Sequence, residues 1–135
     1  MQVLVLDTYP MVAFFRNEPG SDVVEKLLTD AQQQKNILYM CSYNAGEVFY
    51  SIWRKEGKTY ATTAWQRLMK FPILFIEPDM QLTYEAATLK ATGRLSYADA
   101  HAAALSLHLD ATLVTGDREF DSLKHIKGFK VKYIH

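Results

Sequence analysis

Four carboxylates stand where chemistry is commonly sited rather than where solubility needs charge: Asp7, Glu47, Asp99 and Asp117. Asp7 follows Val3-Leu4-Val5-Leu6, and Asp117 follows Ala111-Thr112-Leu113-Val114-Thr115 across Gly116. Both runs are short and almost wholly apolar, the pattern of strands covered on both faces. Each run therefore delivers an acid to the carboxyl end of a buried strand, the edge of an open α/β sheet where sites form. Glu47 and Asp99 fall near the starts of two helices, one opening at Ser42 and one at Ser96. With parallel strands, all four acids can converge on one edge. Like charges crowded there raise one another's pKa and oppose folding, a cost that a divalent cation removes. An all-oxygen set completed by water suits Mg²⁺ or Mn²⁺. Such a site activates water and holds a phosphodiester for in-line attack, with one metal ion or two.

Each acid also has a simpler reading. Asp99 sits three residues after Ser96, the spacing of a capping box. Glu47 is an acid favoured by the positive end of a helix, and Asp117 can make the Gly116-Asp117 turn. Asp7 is harder to dismiss, because aspartate is depleted in strands and needs a reason at the end of one. It is the joint placement that favours a shared site. Thr8, Asn44 and Thr115 adjoin these acids and are candidates to orient a carboxylate, a water or substrate; turn bonding and capping are their alternatives. Asp121 is either a fifth acid at the rim or a surface group. His101 and His108, seven apart, do not match a zinc spacing and read as structural. Arg16, Lys55, Arg94 and Arg118 are candidates to line a substrate groove.

The elements that must position these residues alternate in type. After the first strand, Tyr9-Pro10 opens a short helix through Phe15, proline being tolerated in a first turn. Glu18-Pro19-Gly20 breaks it, and Ser21 caps a helix with Val23, Val24, Leu27, Leu28 and Ala31 inward. Ile37 to Cys41 is the second strand. Ser42 caps a helix with Ala45, Val48, Phe49, Ile52 and Trp53 inward, ended by Gly57, and Glu47 lies off that stripe near the first turn. A helix over Thr59–Lys70 turns Ala61, Ala64, Trp65 and Leu68 inward, and Pro72 stops it. Ile73–Ile76 is the third strand. Asp79 caps a helix ended by Gly93. Ser96 caps the next, with Ala98, Ala102, Leu105 and Leu109 inward, and the strand Ala111–Thr115 follows. Glu119 to Lys124 makes one more helical turn, and Lys130 to Ile134 is a last strand. This alternation predicts a mainly parallel sheet with helices on both faces.

At 135 residues the chain is long enough for one proper core and reads as a single domain over residues 1–135. With 49% hydrophobic and 22% charged residues it is not disordered. Net charge is zero, so any attraction to nucleic acid must be local. Lys124, Lys127, Lys130 and Lys132 form one such patch, or merely a solvated face. A single cysteine, Cys41, excludes an intramolecular disulfide and a multi-thiolate zinc site, and fits a reducing compartment. The first apolar run is too short for a signal peptide or a membrane span, so the expectation is a cytoplasmic protein with no membrane partner.

Taken together, Val5-Leu6-Asp7-Thr8, Asn44-Ala45-Gly46-Glu47-Val48, Leu95-Ser96-Tyr97-Ala98-Asp99-Ala100 and Ala111 to Phe120 resemble the motifs of PIN-domain proteins, specifically VapC-type ribonuclease toxins. The resemblance covers essentially the whole chain, and the order and spacing of the motifs are more specific than any one of them. It implies a doubly wound five-stranded sheet in the order 3-2-1-4-5. It implies a metal-dependent endoribonuclease whose ligands are Asp7, Glu47, Asp99 and Asp117, acting on RNA, most readily on exposed single strands. It further implies a homodimer and a small antitoxin protein that inserts near the acidic site. The departures are Tyr9-Pro10, where small polar and apolar residues are usual, and Gly46, where alanine or leucine is common. Both concern access and packing rather than ligands.

Three other readings compete. A receiver-like phosphoryl-accepting domain needs an aspartate after its third strand, where Glu77-Pro78 stands. A haloacid-dehalogenase-like phosphatase needs one two residues after Asp7, where Tyr9 stands. A non-catalytic PIN-like binding module is opposed only by the retention of all four acids. Dinucleotide binding is excluded, since no Gly-x-Gly-x-x-Gly follows the first strand.

Overall fold

In a computed structural model describing residues 1–135, the five strands form one parallel sheet. Its strands are β1 (Gln2–Leu6), β2 (Asn36–Cys41), β3 (Ile73–Ile76), β4 (Thr112–Thr115) and β5 (Lys130–Tyr133). The order is β3-β2-β1-β4-β5, as the resemblance implies. β1 lies at the centre, with Val5 opposite Tyr39 of β2 on one side and Leu113 of β4 on the other. Chain order reverses between β1 and β4, which makes their carboxyl ends the switch point where such sheets bind ligands. The ladder runs past β1, because the Asp7 amide donates to the Val114 carbonyl at 3.1 Å.

Period-two alternation divides the strands between two cores. Leu4, Leu6, Leu38 and Met40 face one side, under α1 (Thr8–Phe15), α2 (Ser21–Gln32), α3 (Ser42–Glu56) and α4 (Lys58–Leu68). Val5, Cys41 and Leu113 face the other, under α5 (Met80–Thr92) and α6 (Tyr97–His108). Burial on both faces is why β1 and β4 read as continuous apolar runs. α6 is buried almost all round, from Ala100 to Ser106; its run of small alanines lets it sit against the sheet and α5 together.

Several local expectations are corrected. Ser21 and Ser42 are first helical residues, not caps; Gly20 and Cys41 stand at the cap positions, and neither helix has a side-chain cap. Ser42 opens α3 directly from β2, which leaves no residue between them. As a result Glu47 is in the second turn of α3, and no acid occupies the first. α1 begins at Thr8, one residue earlier than the Tyr9-Pro10 signal suggests. Trp53 and Trp65 are 42% and 36% exposed rather than buried; each packs edge-on against Phe49 at the rim, with ring centres 5.5 and 5.8 Å away. The helical turn after β4 is a 3₁₀ segment over Arg118–Leu123. Ser96 and Asp79 do cap α6 and α5, accepting from the amides of Asp99 and Leu82. No helix is long and apolar enough to cross a membrane.

Candidate active site

The residue after β1 becomes the first of the site because α1 starts immediately beyond it. Asp7 occupies the N-cap position of α1, yet its carboxylate caps nothing. It is 1% exposed and is bound from two sides instead. Thr115, the last residue of β4, donates its hydroxyl to Oδ2 at 2.9 Å, and Asn44 Nδ2 reaches Oδ1 at 3.4 Å. Burial raises the Asp7 pKa well above the carboxylate range, and the Asp99 charge raises it further.

Asn44 ties three elements together. It is fully buried, and its amide nitrogen faces Asp7, the Thr8 hydroxyl at 3.2 Å and the Ala98 carbonyl at 3.2 Å. Three oxygens around one NH₂ group determine which way the amide points. Thr8 in turn donates to Glu47 Oε1 at 2.7 Å, and the Tyr50 hydroxyl lies 3.4 Å from Oε2. The start of α1 thus sets the orientation of an acid on α3.

On the other side of β1, Thr115 serves twice, since its oxygen also accepts from the Asp117 amide at 3.0 Å. Asp117 Oδ1 caps the 3₁₀ segment through the Glu119 amide at 2.9 Å. Asp99 lies in the first turn of α6. Burial pushes its pKa up to about 6, with the charges of Glu47 and Asp117 adding to that effect. One oxygen from each of Asp99, Asp117 and Glu119 lies within 4.8 Å of the others. A single hard cation with bonds of about 2.0–2.6 Å can span such a separation.

Asp7, Glu47, Asp99 and Asp117 all line one cleft of about 410 Å³, together with Thr8, Tyr9, Glu18, Ser51 and Lys55. Glu18 is paired with Arg16, so four carboxylates of the cleft, Asp7, Glu47, Asp99 and Asp117, face one cation, Lys55. Such an imbalance is unfavourable in the protein alone and suits a divalent cation bound by oxygens. Glu119 is the residue that sequence reasoning missed. Its signal was its position two residues after Asp117, which a tight 3₁₀ turn folds back beside the acid. Asp121 goes elsewhere, to the Tyr133 hydroxyl and Lys124.

Of the candidate groove cations, Lys55 alone lines the cleft. Arg16 is bound to Glu18 and to Glu56, Arg94 is exposed outside the cleft, and the Arg118 guanidinium stacks 3.8 Å from the Tyr133 ring centre. Within the C-terminal patch, Lys124 and Lys130 are paired with Asp121 and Asp110. His101 is fully buried between Tyr43 and Tyr97, with Nδ1 on the Tyr97 carbonyl at 2.9 Å. Glu77, where a receiver-like domain would need its phosphoryl acceptor, is exposed beyond the edge strand β3.

A parallel 3-2-1-4-5 sheet with an acidic cleft at its switch point defines the class, and sequence comparison agrees. The profile of the PIN domain matches residues 4–126, and the chain belongs to the PIN-domain family. No curated protein matches the chain. Among solved structures, VapBC2 from Rickettsia felis, bound to a promoter DNA fragment, aligns with a TM-score of 0.76 at 18% identity, over 98% of both chains. DNA-bound VapBC from Salmonella typhimurium aligns at 0.76 with 17% identity over 100% of both. VapC20 of Mycobacterium tuberculosis, a sarcin-ricin loop cleaving toxin, aligns at 0.74 with 14% identity, over 92% of this chain and 97% of that one. Identities this low establish a shared fold.

Proposed function

We propose that this protein is a Mg²⁺- or Mn²⁺-dependent endoribonuclease cutting single-stranded regions of RNA, and the toxin of a toxin–antitoxin pair. The observation that carries the reading is the cleft in which four carboxylates without a basic partner face one lysine at the sheet's switch point. The donor set fits a hard divalent ion: all oxygen, with Asp7 buried and Asp99, Asp117 and Glu119 within reach of one another. Asp7, Glu47, Asp99 and Asp117 would hold it, with Glu119 at the rim. Bound there, such an ion would supply positive charge to the phosphodiester and would make water more acidic.

The chain's own groups do the positioning. Thr115 and Asn44 fix the Asp7 carboxylate, Thr8 fixes Glu47, and the Glu119 amide fixes Asp117. Such restraint keeps the oxygens in place before substrate arrives, so little reorganisation is left for the reaction itself. Lys55, on the exposed side of the cleft, offers the strand's phosphates a counter-charge. RNA rather than DNA is favoured by the fold shared with VapC20, and a small antitoxin partner by the fold shared with VapBC complexes. A homodimer in the cytoplasm completes the reading.

The test is cleavage of an end-labelled structured RNA in Mg²⁺, in Mn²⁺ and with chelator. Asp7→Asn and Asp117→Asn, purified identically, control for contaminating ribonuclease. Metal-dependent cutting lost in both variants is the expected result. No cutting together with no Mn²⁺ binding by calorimetry would replace the nuclease with a non-catalytic binding module.

A further inference from the structure

Tyr9 stands two residues after Asp7, and its surroundings give it a job. It lines the acidic cleft beside Asp7, Glu47, Asp99 and Asp117, yet it is 40% exposed. Tyrosine joins an apolar face to a polar tip, so at the mouth of a polar cleft it can offer its ring to a ligand while its hydroxyl is held. The ring is also held. Its Cδ1, Cε1 and Cζ atoms lie over Gly116, so close that a β-carbon there would stand 2.1 Å from Cε1. Its hydroxyl is 3.0 Å from His135 Nε2, and the two rings tilt against each other with centres 5.7 Å apart. His135 is itself tethered, its carbonyl accepting from Arg118 at 3.3 Å. One side of the ring is thus anchored to the β4–β5 edge of the site, while the rest stays open to the cleft. A pre-oriented, half-open aromatic next to a phosphodiester-binding centre has the chemistry of a base platform, because every nucleobase has a face to stack and a fixed ring loses little entropy on doing so.

We propose that Tyr9 is a stacking platform for one nucleobase of the RNA strand, seating the nucleotide beside the phosphodiester to be cut. The assignment rests on the ribonuclease reading above. It makes the enzyme selective for unpaired nucleotides, since a base held in a duplex stack cannot also lie on the tyrosine. It also separates two tasks within one cleft: the carboxylates address the backbone, and Tyr9 addresses the base.

The test is a binding cycle with fluorescein-labelled A7 and U7 RNA, intact or carrying one abasic ribose walked through the seven positions. Binding is measured in Ca²⁺ for the unaltered protein and for Tyr9→Ala, Tyr9→Phe and Tyr84→Ala. Cleavage of the same RNAs is followed in Mg²⁺. In the unaltered protein, an abasic site at one position should weaken binding about tenfold. Tyr9→Phe and Tyr84→Ala should keep that penalty. Tyr9→Ala should bind intact RNA about tenfold more weakly and lose the penalty at that position alone. Retention of the full penalty by Tyr9→Ala would overturn the platform while leaving the nuclease in place, as would its loss in Tyr84→Ala. An unaltered protein that neither binds nor cuts these RNAs nor the structured RNA would overturn both.

Discussion

At the scale of single residues, the site is a set of carboxylates held in a strained electrostatic balance by neutral donors. Thr115 links two of the acids, donating its proton to Asp7 and accepting one from the Asp117 amide. Thr115→Val keeps the shape and removes both bonds. It should cost about 1–2 kcal/mol in a denaturant melt, and should lower RNA cleavage more than tenfold, a loss set by carboxylate position rather than by folding. Asp99 leads to a pH prediction. Its pKa is raised from 3.8 to about 6 by burial first and by neighbouring acids second. A raised acid favours the fold most fully below its unfolded pKa, and that contribution is lost as pH climbs through the folded value. Without metal, the melting temperature should therefore carry a falling component between about pH 4 and pH 6. Mn²⁺, which binds the ionised form, should raise it far more at pH 7.5 than at pH 4.5. Equal Mn²⁺ shifts at both values, measured by calorimetry, would contradict a carboxylate site.

At the scale of elements, the strands were far more legible than the helix ends. β1 and β4 are buried on both faces, and that demand leaves a run of Val and Leu that few other structures require. Val114, fully buried in the core under α1–α4, makes the point testable. Val114→Asp places a charge where neither water nor a cation reaches, and no cooperative melt should remain. Val114→Ala should fold, at a loss of about 1–3 kcal/mol. The helix starts differ from the serine signals because each helix begins one residue early: Gly20 and Cys41 take the non-helical cap positions, which leaves Ser21 and Ser42 inside the first turn. The same early start places Glu47 in the second turn. Spacing places Trp53 and Trp65 on the inward stripe, but both lie at its rim, where each keeps one edge on Phe49 and part of the indole in solvent. As for the site, the positions of Asp7, Asp99 and Asp117 followed from strand ends and a cap, which are local signals. Glu119 and the cradle of Asn44 did not, because both depend on what a turn or a distant carbonyl brings alongside.

For the molecule as a whole, charge is balanced globally and unbalanced locally. There are 15 basic and 15 acidic side chains, yet the cleft concentrates acids, and part of the basic C-terminal patch is consumed by internal pairs. A polyanion is therefore not drawn in by a broad field. RNA affinity should fall only gently with salt, with a log–log slope smaller than about 3. Lys55→Ala should reduce that slope by about one. A slope as steep as that of a basic nucleic-acid-binding protein would point to a contact surface outside the cleft.

The central place of β1 has a consequence in time. Its right-hand neighbour is β4, and the hydrogen bond from Thr115 to Asp7 joins residues 108 positions apart. Parallel pairing at such separation is slow to form, since a long loop must close before any contact rewards it. During synthesis, Asp7 leaves the ribosome early and waits for most of the chain before its cleft exists. A nascent or truncated chain lacking β4 therefore has no assembled cleft, whatever acids it already carries. If the protein cuts RNA, the ribosome translating it is shielded by topology until that strand arrives.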